Sequence, residues 1–246
     1  MSSSDEKSVR PYYMGYEDRY ALTYRQGGDT WETQSPNDIV TQLVPSIAER
    51  FDSVKILDLG CGEGRDSIWL ASEGYDVTGV DISPSALNRA QELAIQKGVD
   101  PKFQEDDVVY LKAIPNDHYN IAINMGCLHM LDDPHHRASH LKQVYKKLAR
   151  NGFFMVNHCT KNWLEGFWSV ENFDEVKDCQ VGDVIPRKIR ISDGKSKIIN
   201  MPILNHKVSS EDELVEELKS AGFTDFEIFN ECKFAFGNSA IILCRK

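Results

Sequence analysis

Val54-Lys-Ile-Leu-Asp-Leu-Gly-Cys-Gly-Glu-Gly-Arg65 is the stretch whose reading decides the fold. Val54, Ile56, Leu57 and Leu59 make an apolar run too short for a helix. Ser53 and Lys55 bound it on one side and glycines on the other, which predicts a strand buried on both faces. Gly60, Gly62 and Gly64 then let the backbone turn sharply and lie against a ligand. A helical pattern from Arg65 aims free N–H groups and a positive dipole end at the same spot. A dinucleotide fingerprint would need glycine or alanine three residues after Gly62, where Arg65 stands. Asp58 adds a carboxylate at the strand end, suited to a cationic amino group and unfavourable beside a pyrophosphate.

Residues 75–80 read as the next strand, and Asp81 stands at its carboxyl end, which in an open parallel sheet faces the ligand crevice. A carboxylate there can accept hydrogen bonds from both hydroxyls of a ribose. With both acids in place, the stretch resembles motif I of class I S-adenosylmethionine-dependent methyltransferases. The resemblance covers residues 35–158 and 209–246. It implies an α/β, doubly wound, mostly parallel seven-stranded sheet with an antiparallel C-terminal strand and an insertion between the fifth strand and the following helix. It also implies S-adenosyl-L-methionine as cofactor and direct in-line transfer of its methyl group to oxygen, nitrogen or sulfur of a small molecule. Cofactor contacts are then expected from Asp58, Gly60, Cys61, Gly62, Gly64, Arg65, Asp81 and Ile82. The resemblance assigns the adenine amino group to Asp107, with Asp106 as the other candidate, and a ring nitrogen to the Val108 N–H. Asn124, Met125 and Gly126 fall at the end of the fourth strand, where the methionine part would lie. Asn120 stands where the family commonly has an acid. Residues 62–67 and Trp31 look like the tellurite-resistance and thiopurine-type methyltransferases. A non-catalytic module that keeps the same ligand, or binds a protein partner, is the competing class.

The chain has 246 residues, enough for one α/β domain with an insertion. A net charge of −10 argues against nucleic acid as a partner. No apolar run reaches membrane-spanning length and the first residues are polar, so a cytoplasmic protein acting on a small-molecule methyl acceptor, as monomer or homodimer, is expected. The six cysteines lack Cys-x-x-Cys spacing and read as free thiols. His136 and His140, four apart with His135 adjacent, read as a solvated helix face, and no metal site is expected.

Residues 1–34 form an N-terminal segment and candidate lid, in which Tyr16, Tyr20 and Tyr24 share one helix face. Residues 35–246 form the main domain. Within it, residues 159–208 are too long for an ordinary connection and read as a substrate-side insertion with a hairpin around 192–194. The acceptor pocket is expected from Tyr16, Tyr20, Trp31, Asn157, Trp163 and Trp168. If the nucleophile carries a proton, His158 at the mouth of the fifth strand is the first candidate base and His129 the second. Ser209 with Asp212 predicts a capping-box-like start to the last helix.

Overall fold

β2 (Lys55–Leu59) lies near the middle of a seven-stranded sheet and is buried along four of its five residues, as its unbroken apolar run requires. The computed structural model describes residues 13–30, 33–160, 169–191, 194–234 and 237–246. Before β2 come α1 (Met14–Arg25), β1 (Gly28–Thr30) and α2 (Asp38–Ala48). After it come α3 (Arg65–Ser72), β3 (Asp76–Asp81), α4 (Pro84–Lys97), β4 (Lys102–Glu105) and β5 (Tyr119–Met125). A 3-10 turn (Leu128–Met130), α5 (Pro134–Lys147) and β6 (Leu148–Cys159) follow, then α6 (Phe173–Val176), β7 (Val184–Ile191) and β8 (Ser196–Pro202). The chain closes with α7 (Glu211–Ala221), β9 (Thr224–Phe234) and β10 (Gly237–Arg245).

The main sheet runs β4-β3-β2-β5-β6-β10-β9, with β2 to β6 mutually parallel and β10 antiparallel to both neighbours. Strand order reverses on either side of β2, so a crevice opens at the carboxyl ends of β2 and β5. One face packs Leu57, Leu59 and Phe154 against Leu141 of α5 and Leu214 of α7. The other packs Ile56 and Ile121 against Val40 and Val44 of α2 and Leu70 of α3. The expected doubly wound sheet is therefore present, with its antiparallel strand.

Some local expectations shift. The capping box of α7 is Ser210 with Glu213, one residue beyond Ser209 and Asp212, because only that register offers the longer acid that reaches back to the cap N–H. Pro45 sits inside α2 without ending it. A small second sheet, β1-β7-β8, joins the N-terminal segment to the insertion, with Gly28 facing Ile191 and Thr30 facing Arg190. Three residues of β1 show no alternation that would mark a strand in the sequence. Tyr20 and Leu22 of α1 pack on Ile189, Ile199 and Met201, so the N-terminal segment and the insertion pack as one unit. Trp31, Trp163 and Trp168 lie outside the described residues. Among the described residues no helix is long and apolar enough to cross a membrane.

Candidate active site

The glycine loop is built by backbone geometry. Gly60, Gly62 and Gly64 have φ of +70°, +53° and +78°. A Cβ on Gly60 would strike the Cβ of Cys127, which packs across the loop from the end of β5. Gly60 and Cys61 donate their N–H groups to the Val80 carbonyl at 2.8 and 3.0 Å, which ties the turn to the end of β3.

Two buried carboxylates face this loop. Asp81 accepts the Gly62 N–H on Oδ2 at 2.8 Å and the Ser83 N–H on Oδ1 at 2.9 Å. Asp58 accepts the Ser67 hydroxyl at 2.6 Å, which anchors the first turn of α3. Burial holds both acids above the usual carboxylate range, and the charge of Asp66 adds to the effect at Asp58. Two acids in this state are stabilised by a ligand that carries positive charge and hydroxyl donors. An amino acid joined to a ribose supplies both; a pyrophosphate supplies neither.

The other expected cofactor residues take distinct places. Arg65 donates to Asn37 Oδ1 at 3.0 Å, while Asp66 accepts the Asn37 backbone and side-chain N–H groups at 2.7 and 2.6 Å. Those bonds lock α2 to α3. Cys61 is buried beside Gly79, and Ile82 follows Asp81 into the α4 cap. Both oxygens of Asp106 accept backbone N–H groups, from Asp107 at 2.8 Å and Ala113 at 2.7 Å. Asp107 accepts the Val109 N–H on one oxygen at 2.8 Å. Val108 and Met125 are buried, Gly126 has φ of +102°, and the Asn124 side chain is wholly enclosed.

α1 crosses the crevice. Tyr16 donates its hydroxyl to the Met130 carbonyl at 3.0 Å, and burial pushes its phenol well above the usual range, so it remains a donor. The Tyr20 hydroxyl stands where a Cβ on Gly62 would meet it, 2.6 Å away. Tyr24 donates to Glu63 at 2.9 Å. Glu17 accepts the hydroxyls of Ser83 and Ser85 at 2.6 and 2.5 Å and the Ser85 N–H at 3.2 Å, at the N-terminus of α4. Tyrosine spacing marks this helix in the sequence, but nothing there marks Glu17, whose partners lie in a distant segment.

Near the carboxyl ends of β5 and β6, where the acceptor is expected, His129 and His158 lie with ring centroids 6.4 Å apart at 82°. Both are buried, and burial lowers both, His158 to about 4 and His129 well below its usual value. His158 Nδ1 lies 2.8 Å from the Cys159 carbonyl, which can only accept, so Nδ1 carries the proton and Nε2 is a bare lone pair. That Nε2 has no hydrogen-bond partner among the described residues. Asn157 points to the other face and donates to Ser239 Oγ at 2.9 Å. His140, expected on a solvated face, is fully enclosed and 3.0 Å from Asn124 Nδ2. Its helix places it inward because Leu141 and Val144 share that side of α5. Among the described residues no group of three His, Cys, Asp or Glu could hold a metal.

A neutral buried ring has a measurable consequence. A histidine that titrates near 6.5 unfolded and about 4 folded destabilises the protein as pH falls between those values, with nothing lost above and the full penalty below. Wild type should therefore lose about 3 kcal/mol relative to His158→Gln from pH 6.5 to 4, read by urea unfolding at each pH.

Residues 56–152 match a methyltransferase domain family. The ubiquinone biosynthesis O-methyltransferase of Yersinia pestis (strain Pestoides F) is 31% identical over 110 residues, 45% of this chain and 46% of that one. The chain thus spans about half the length of the curated relatives it matches. A Methanosarcina mazei S-adenosylmethionine-dependent methyltransferase superposes with a TM-score of 0.56 at 24% identity, over 82% of this chain and 97% of that one. The Burkholderia thailandensis 1,6-didemethyltoxoflavin-N1-methyltransferase, solved with bound 1,6-didemethyltoxoflavin and S-adenosylhomocysteine, gives 0.61 at 20% identity over 99% and 93%. Residues 56–152 thus carry the match to a methyltransferase domain, and the fold around them is the one these solved S-adenosylmethionine-dependent methyltransferases share.

Proposed function

We propose that the protein moves a methyl group from S-adenosylmethionine to an O–H or N–H group of a small molecule, with His158 as general base. The observation that carries this reading is the buried Nε2 of His158 at the mouth of β6, without a hydrogen-bond partner among the described residues and left as a lone pair by the Nδ1–H bond to Cys159. A lone pair enclosed in this way is stabilised by a donor, and the acceptor's proton is the donor that methyl transfer brings. The Yersinia relative is named an O-methyltransferase, which fits an oxygen acceptor.

When bound, the cofactor supplies an electrophilic methyl group on a positively charged sulfur. Asp81 would hold the ribose and Asp58 the amino-acid end. Asp107, the acid that the resemblance assigns to it, would take the adenine amino group, next to the Val108 N–H. Met125 and Gly126 would flank the methionine chain. Tyr16 and Tyr20, with the insertion and its Trp163 and Trp168, would close the acceptor pocket, and Trp31 would complete the lid. Neutral His158 accepts the acceptor's proton at Nε2 as the new bond forms. Because its pKa lies near 4, the rate should stay level from pH 7 down to 5.5, where an ordinary histidine would already lose most of its base form.

Calorimetry with S-adenosylmethionine and S-adenosylhomocysteine tests the cofactor. Incubating the full chain with metabolite fractions, and reading S-adenosylhomocysteine release with the mass gain of one methyl group, tests the reaction. Tight binding with no turnover across all fractions would favour the non-catalytic module. If α1 is a lid, Glu17→Gln should weaken S-adenosylhomocysteine about tenfold, roughly 1.4 kcal/mol, and speed amide exchange in α1. Unchanged exchange would reduce α1 to a packing helix.

A further inference from the structure

A chain of buried polar groups joins the adenine side of the crevice to the acceptor side. The Val108 carbonyl can only accept, so His140 Nδ1, 2.9 Å away, carries the ring proton. His140 Nε2 is then a lone pair, and Asn124 Nδ2 donates to it at 3.0 Å. That orientation leaves Asn124 Oδ1 to accept the N–H groups of Cys127 at 3.0 Å and Leu128 at 2.9 Å. Each bond runs in one sense only, and both side chains are fully enclosed. Burial holds the His140 ring down to about 4, so it is neutral at physiological pH and these directions persist.

The two amides open the 3-10 turn that carries His129. The carbonyl side of the turn is gripped independently. Arg137 Nη1 donates to Leu128 at 2.7 Å and to Leu131 at 3.1 Å, and the Lys207 N–H donates to the His129 carbonyl at 2.7 Å. Arg137 and His140 sit on the same helix, α5, and Ser139 adds a bond to the Val109 carbonyl at 2.8 Å. A displacement of the 107–109 loop is therefore passed to the turn through α5 and Asn124 without a flexible link between them.

We propose that His140 and Asn124 are positioning residues that hold the Leu128–Met130 turn, and His129 with it, against the Val108 end of the crevice, so that seating the cofactor at Val108 sets the geometry on the acceptor side. The second half rests on the cofactor reading above. The first half does not.

Amide exchange resolves the two. In the protein without ligand, His140→Leu removes both ring bonds while keeping an apolar side chain of similar size. Exchange at Cys127 and Leu128 should quicken at least tenfold with α2 unchanged. His140→Gln can present an amide oxygen near the Nε2 position and should stay within threefold of wild type. His140→Asn can replace only Nδ1 and should behave like leucine. Exchange at the turn equal in wild type and His140→Leu overturns the positioning role, as does equal acceleration by leucine and glutamine, or acceleration spread equally through α2. With S-adenosylhomocysteine added, wild type should gain protection at Cys127 and Leu128, whereas His140→Leu should bind by calorimetry without gaining it. Equal protection in both overturns the coupling. Absence of binding to wild type overturns the cofactor reading and its coupling, while the ligand-free comparison still decides the positioning role.

Discussion

Asp81→Ala should weaken S-adenosylhomocysteine binding about a hundredfold while moving the thermal midpoint only slightly. The carboxylate joins three parts of the site: the Gly62 N–H, the Ser83 N–H and, in the proposed complex, the ribose hydroxyls. Hydrogen bonds to a charged group contribute about 1.5–3 kcal/mol each. Loss of the ribose bonds together with a slackened Gly62 turn amounts to about 3 kcal/mol in affinity, which is about a hundredfold. Stability responds less because two effects oppose. Alanine leaves the backbone N–H groups of Gly62, Ile82 and Ser83 without this acceptor, but it also removes a carboxylate whose burial outweighs the N–H bonds made to it and raises its pKa. Calorimetry and thermal unfolding on the same preparations separate these outcomes. Affinity within threefold of wild type would remove Asp81 from the ribose. A collapse of the midpoint alongside affinity would assign it to folding alone.

What the sequence showed and what it hid follow one physical line. The order of strands, the glycine loop and the placement of Asp58 and Asp81 were legible because they depend on local patterns, an apolar run, glycines that permit positive φ, and an acid at a strand end. The second sheet was not legible, because β1 pairs with β7 across most of the chain and neither segment records its partner. His140 was misread for a related reason. A histidine on a helix looks solvated until the Val108 carbonyl and Asn124, both remote in sequence, supply its two bonds. Arg65, inside the motif itself, likewise donates to Asn37, at the start of a helix that precedes the whole motif. Side chains that join distant segments are set by topology, and a single sequence carries no record of those pairs.

His158→Leu should lower kcat by about a hundredfold to ten-thousandfold, the range that a positioned general base contributes, while leaving S-adenosylhomocysteine affinity within threefold. The argument turns on which property of the ring matters. Nδ1 is committed to the Cys159 carbonyl, so Nε2 alone is left to take a proton, and the enclosed ring stays neutral down to about pH 4. Such a ring is a weak base thermodynamically. It is also unprotonated in essentially every molecule at neutral pH. His158→Gln separates base from acceptor, since an amide oxygen near the Nε2 position can take a hydrogen bond but cannot take the proton. If proton transfer is the role, glutamine should be nearly as slow as leucine. If orientation of the acceptor is the role, glutamine should recover most of the rate and leucine should not. His129→Leu provides the comparison, because His129 lies 6.4 Å from His158, centroid to centroid, and is fixed through its backbone by Lys207. A larger loss in kcat there than at His158 would exchange their roles, and a kcat within threefold for all three variants would show that the acceptor reacts without a base.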